Sequence, residues 1–234
     1  MTLKQYSTPS LRIKGAVQPL RQACTTILFD LDGTLLDSEQ INAMVVQRMY
    51  REVLERDPDP DELEQSRTLS TEDILAELAP KDMDFLMHIW PQYYKEYGHL
   101  LSLYPEIPQL LSTLKEQGFK TGVVTLQNRA EVAATRDLVD LDPWIDTWVA
   151  VDDSTHPKPH SAPIWKALSN LDASPDQTIM IGDSATDIIA GQRAGVLTGA
   201  ALWGCFQPEL LLQQNPDYVF KEPPEVERLC QKKA

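Results

Sequence analysis

Asp30 and Asp32, one leucine apart, stand where an apolar run ends: T-T-I-L-F-D-L-D-G-T-L-L-D-S, from Thr25 to Ser38. On an extended chain residues i and i+2 share a face, so both carboxylates aim in one general direction while Leu31 turns away. Further along lie Thr125, after a valine pair, Lys158 inside H-P-K-P-H, and Asp183 and Asp187 inside I-G-D-S-A-T-D. Carboxylates at 30, 32 and 183 gathered in one site would repel one another unless a cation lay among them. A hard, oxygen-preferring ion such as Mg²⁺ is the natural neutraliser, shared by the Asp30 side chain and a carbonyl near Asp32. Gly33 lets the backbone turn sharply and present N–H groups to an anion. A hydroxyl from Thr125 and the ammonium of Lys158 suit phosphate oxygens.

These residues need elements to bring them together. Short apolar runs at Thr26–Phe29, Thr121–Val124, Thr147–Val151, Thr178–Ile181 and Leu197–Leu202 have the length and β-branched content of buried strands. Helix-like stretches at Ile107–Gln117, Arg129–Leu138, Ala162–Asn170 and Ala185–Ala194 separate them. Alternation of this kind predicts an α/β fold, a parallel sheet with helices on both faces. Ligands of such sheets bind beyond the carboxyl ends of the strands, where each singled-out residue falls. Between Ser38 and Tyr104 the strand signal is missing. Ile41, Val45, Met49 and Val53 recur every four residues as a helical stripe, Asp57-Pro58-Asp59-Pro60 stops it, and helical pieces follow at Thr71–Leu78 and Met83–Tyr97. The expected division is a core of 1–36 and 106–234, with an N-terminal arm over 1–24, and an inserted helical domain over 37–105.

D-L-D-G-T, the threonine ending the next strand, the loop lysine and G-D-S-A-T-D together resemble the four motifs of the haloacid dehalogenase-like (HAD) phosphatase superfamily. The resemblance runs from Thr26 to Phe220, and the insert is similar to the type 1 cap of phosphoglycolate phosphatases and β-phosphoglucomutases. It implies a Rossmann-like core with a helical cap and a Mg²⁺-dependent phosphatase that hydrolyses a small phosphorylated metabolite through an aspartyl-phosphate. By this likeness Asp30 is the nucleophile, and Asp32 the general acid to the leaving oxygen and then the base for water. Thr125 and Lys158 hold the phosphoryl group, with Gly33 and Thr34 beside them. Asp30, Asp32 and Asp183 bind the metal, and Asp187 supports it or the lysine. Leu126 departs from the small polar residue common after the threonine; Asn128 and Arg129 are the nearby substitutes, and Arg67 is a further substrate candidate in the cap.

Other readings compete. A phosphomutase shares the acid/base pair, although mutase-type relatives often carry valine or isoleucine where this chain has Thr34. A dehalogenase would not need Asp32. A receiver-type signalling domain has adjacent acids and no large insert, and a non-catalytic binding protein would not need every motif side chain intact. His156 and His160 read as a surface loop, the aromatics Trp90, Tyr93, Tyr94 and Tyr97 as cap core, and His88 and Lys95 as solvated.

A 42% hydrophobic content is that of an ordinary globular chain, and 234 residues suit one core with an insertion. The formal net charge of −14 opposes binding to a nucleic-acid backbone. No apolar stretch approaches the roughly 20 residues that cross a bilayer. Cys24, Cys205 and Cys230 are too few and scattered for a disulfide framework, which fits a reducing cytoplasm. The leader from Met1 to Phe29 carries Lys4, Arg12, Lys14 and Arg21 and no acid; an arm packed on the domain is expected rather than a transit peptide. A monomer or weak homodimer is expected.

Overall fold

The structure, a computed structural model, describes residues 24–66, 74–76 and 83–230. Its strands are β1 (Thr26–Phe29), β2 (Leu36–Asp37), β3 (Ser102–Leu103), β4 (Lys120–Val124), β5 (Thr147–Val149), β6 (Thr178–Gly182), β7 (Leu197–Ala201) and β8 (Tyr218–Phe220). All four residues of β1 are buried, as a run apolar on both faces requires. Ile27 and Phe29 enter one core cluster with Ile107, Leu110 and Leu114, while Leu28 enters another with Ile164, Leu168 and Ala190. Successive side chains of one strand thus hold helices against opposite faces of the sheet.

Six strands pair in parallel in the order β5-β4-β1-β6-β7-β8. From β1 the chain builds outward through β4 and β5, then returns to the other side of β1 for β6 to β8. The direction of winding therefore switches at β1, and the crevice beyond its carboxyl end is where such sheets bind ligands. The helices α4 (Ile107–Glu116), α5 (Arg129–Leu138), α6 (Ala162–Leu171), α7 (Ala185–Ala194) and α8 (Pro208–Gln213) lie along the crossovers. The sheet is the α/β, Rossmann-like core that the alternation predicts.

The insert between β1 and α4 contains α1 (Glu39–Leu54), α2 (Pro60–Ser66) and α3 (Met83–Glu96). Ile41, Val45 and Met49 are fully buried along the stripe of α1, which ends at Glu55 in a left-handed conformation, ahead of the two prolines. Trp90 and Tyr94 of α3 are buried in the same cluster. Two expectations need correction. The interval does contain strands: β2 and β3 pair antiparallel, Leu36 opposite Leu103 and Asp37 opposite Ser102, at the neck where the chain leaves and re-enters the core. Two residues carry too little pattern to be seen. The strand expected over 147–151 stops at Val149, because Val151–Asp153 turns into a 3₁₀ helix tied by the Asp153 carboxylate to the Ala150 N–H at 2.9 Å. The arm over 1–23 and most of the helix expected at Thr71–Leu78 lie outside the described residues. Among the described residues no helix is long and apolar enough to cross a membrane.

Candidate active site

Each strand next to the switch ends on a residue that could do chemistry. Asp30 follows β1, and its N–H still bonds Ile181 O at 2.9 Å, so the residue is fixed in the sheet's register. Thr125 follows β4 in the same way, its N–H on Val149 O at 3.0 Å. Asp183 follows Gly182 at the end of β6. Between them enters Lys158, almost completely buried. Its ammonium donates to Asp30 Oδ1 at 2.6 Å, Asp187 Oδ1 at 2.6 Å and Val124 O at 3.0 Å, which uses all three of its protons.

Asp187 is wholly buried in the first turn of α7. Its second oxygen accepts from the Ser184 N–H at 3.1 Å and the Ser184 hydroxyl at 2.5 Å. Both of its oxygens are therefore committed to protein donors, and its placement is behind the lysine. Asp183 accepts from Thr34 Oγ1 at 3.0 Å. Gly33 lies at φ +76° in the β1 turn, and a Cβ there would overlap the Asp183 carboxylate. The missing side chain is what admits Asp183 beside Asp30.

The carboxylates of Asp30, Asp183 and Asp187 each bring an oxygen within 4.8 Å of the others. Against them stands one ammonium. The carboxyl groups outnumber the one ammonium, so a cation among them would favour their ionised forms. The electrostatics point the same way. Burial, then the Asp187 charge, pushes the Asp30 carboxyl up to about 7 despite Lys158. Burial and the charges of Asp30 and Asp187 likewise hold Asp183 well above the usual carboxylate range. Burial works against the Lys158 charge, but Asp187 and Asp30 outweigh it and raise its pKa. The donor set, carboxylate oxygens with surplus negative charge, fits a hard divalent metal.

A cavity of about 200 Å³ opens over these groups. Asp30, Asp32, Gly33, Thr125, Lys158 and Asp183 form its floor, while Val46, Leu63, Trp90 and Tyr94 of the insert form its roof. Asp32 hangs from the β1 turn with one oxygen, Oδ2, accepting from Gln127 Nε2 at 2.9 Å. Its Oδ1 is buried and has no hydrogen-bond partner among the described residues. Burial pushes the Asp32 carboxyl up, and the polar groups of Ser38 and Gln127 oppose that. Three carboxyl groups, a hydroxyl and an ammonium are thereby brought to one cavity.

The structure brings Asp30, Asp32, Gly33, Thr125, Lys158, Asp183 and Asp187 together. Thr34 is placed differently from the expectation of a substrate contact: it is fully buried, and its hydroxyl is given to Asp183. Asn128 is placed as the N-cap of α5. Its side-chain oxygen accepts from the Ala130 and Glu131 N–H groups at 2.9 and 3.0 Å, while its own N–H bonds the Glu131 carboxylate at 2.7 Å. A complete capping box, not a ligand, uses that residue. Arg129 reaches outward to Asp153. Arg67 lies outside the described residues. His156 and His160 are exposed and stacked with centroids 4.7 Å apart, and Lys95 pairs with Asp137 at the surface.

Sequence reasoning missed two participants. Gln127 is nearly buried and grips Asp32, yet an amide two residues after a strand threonine has no pattern that marks it. Tyr94 was read as cap core; it is buried there, but it also lines the cavity, and its hydroxyl has no hydrogen-bond partner among the described residues.

Comparison with known proteins agrees with this geometry. The family model "Haloacid dehalogenase-like hydrolase" matches residues 27–201. A protein of Anoxybacillus flavithermus named pyrophosphatase PpaX is 32% identical over 209 residues, covering 84% of this chain and 92% of its own. A Bacillus mycoides protein of the same name is 31% identical over 195 residues, covering 83% and 91%. Among solved structures, a candidate phosphoglycolate phosphatase of Lactobacillus plantarum superposes with a TM-score of 0.79 at 24% identity, over 89% of this chain and 100% of its own. A Streptococcus pneumoniae hydrolase of the haloacid dehalogenase-like family gives 0.76 at 26% identity, over 89% and 99%. The chain belongs to the haloacid dehalogenase-like hydrolases, as an enzyme of their phosphatase type.

Proposed function

We propose that the enzyme is a Mg²⁺-dependent phosphatase that hydrolyses a small phosphorylated metabolite. The observation that carries this reading is the cluster of Asp30, Asp183 and Asp187 around Lys158, in which carboxyl groups outnumber the ammonium at the floor of a roofed cavity. Asp30 attacks phosphorus, the phosphorus–oxygen bond to the leaving group breaks, and Asp32 gives that oxygen a proton. Water then attacks the phosphorylated Asp30, Asp32 takes its proton, and inorganic phosphate leaves. Lys158 holds Asp30 in line, and Asp187 holds Lys158. The Thr125 hydroxyl accepts from the Gln127 N–H at 3.0 Å, which turns its own proton toward the cavity for a phosphate oxygen. Asp30 and Asp183 are the carboxylates for magnesium, with a backbone carbonyl near Asp32. Magnesium, when bound, offsets the charge that opposes attack by a carboxylate on a phosphate.

The roof supports a small substrate, because it sets apolar side chains over the reacting groups of a cavity of about 200 Å³. Free thiols at Cys24 and Cys205 support a cytoplasmic setting. The test is a phosphate-release screen over sugar phosphates, phosphoglycolate, nucleotides and pyrophosphate, the last because relatives carry that name. Release on at least one ester, abolished by EDTA and restored by Mg²⁺, is expected. Silence across the panel, or release undiminished in EDTA, would contradict the reading.

A further inference from the structure

We propose that Gln127 is a positioning residue that holds the Asp32 carboxyl in its working orientation, an inference that rests on the phosphatase reading above. Gln127 is held at every polar atom. Its N–H donates to Thr125 Oγ1 at 3.0 Å, and its carbonyl accepts from the Val151 N–H at 2.9 Å. At the side-chain end, Oε1 accepts from the hydroxyl of Thr135, fully buried on α5, at 3.0 Å, and Nε2 donates to Asp32 Oδ2 at 2.9 Å. A carboxylate oxygen requires a donor, and the Thr135 hydroxyl donates at the other end, so only one orientation of the amide serves both partners.

The consequence falls on Asp32. A carboxyl group presents two equivalent oxygens unless its surroundings tell them apart. Here Oδ2 is held by the amide at 2.9 Å while Oδ1 is buried, and Ser38 and Asn42 line the same cavity as Asp32. The amide thereby fixes the orientation in which the carboxyl is presented at the cavity floor. Gln127 supplies this hold from the same segment that supplies Thr125, so the phosphate-holding hydroxyl and the orientation of the acid are set together. Tyr94 lines the same cavity from the insert and is itself 2% exposed.

A general acid matters in proportion to how badly the leaving group needs a proton. The discriminating experiment compares kcat/KM on p-nitrophenyl phosphate, whose leaving group departs unprotonated, with kcat/KM on an alkyl phosphate, whose leaving group does not. Gln127→Met keeps the length and removes the donor. Its kcat/KM on the alkyl ester should fall about 10–100-fold, with a fall of no more than about 3-fold on p-nitrophenyl phosphate. Thr135→Val, which frees the amide to turn, should move the same ratio in the same direction. Thr135→Ser, which keeps the hydroxyl, should restore it. Equal losses on both substrates would show a merely structural amide and overturn the proposal, as would a Gln127→Met enzyme that matches wild type on both. Should Gln127→Met fail to fold, the Thr135 pair decides: a ratio unchanged by Thr135→Val is equally fatal. If the wild type hydrolyses neither ester, the phosphatase reading itself has failed, and this inference with it.

Discussion

Asp30, Lys158 and Asp187 form a chain of buried charges in which each is held by the next, and removing any one leaves its neighbour uncompensated. Gly33 is the uncharged counterpart of that chain. It sits at φ +76°, a conformation that L side chains avoid, and the space above its Cα is filled by Asp183. Gly33→Ala should therefore cost about 1–2 kcal/mol in urea denaturation and roughly 100-fold in kcat/KM through a displaced Asp183. A variant unchanged in both would show that neither the turn nor the carboxylate depends on that glycine. At this scale the residues that converge were legible in the sequence, because carboxylates and a lysine at the ends of successive strand signals form a recognisable set. Thr34, Asn128 and Gln127 were not. A threonine, an asparagine and a glutamine can each donate and accept, so only three-dimensional neighbours decide that one orients Asp183, one caps a helix and one grips Asp32.

The strands position all of this, and β7 shows how closely they must fit. Gly199 faces the fully buried Phe220 ring from the neighbouring strand, and a Cβ at 199 would overlap that ring. Phe220 is rigid and enclosed, so Gly199→Ala should destabilise the fold by about 1–3 kcal/mol, measured by urea denaturation. A neutral result would mean that β8 is free to shift. The apolar runs were readable because strands buried on both faces read as short, mostly apolar runs, and α1 because its stripe repeats every four residues. The two-residue pair β2 and β3 was not. A ladder that short has no periodicity, and it exists because the neck brings Leu36 and Leu103 together, a contact 67 residues apart in sequence.

In the whole molecule, a net charge of −14 coexists with a site meant for an anion. The resolution is local: Lys158 is buried at the centre of the cluster, and under the proposed function a metal held by its carboxylates would offset the charge that phosphate meets. The sheet order places the switch of winding at β1, the insert roofs the crevice there, and Asp30 and Lys158, 128 residues apart in sequence, converge within hydrogen-bond reach. That convergence makes Asp30 the pivot of the account. The most direct test is Mg²⁺-dependent phosphate release by Asp30→Asn, measured beside wild type on the best substrate of the screen, with thermal unfolding confirming that the variant is folded. Loss of at least about 1,000-fold in kcat is the predicted result, since an amide cannot be the nucleophile. A folded Asp30→Asn enzyme that retains full Mg²⁺-dependent activity would contradict it.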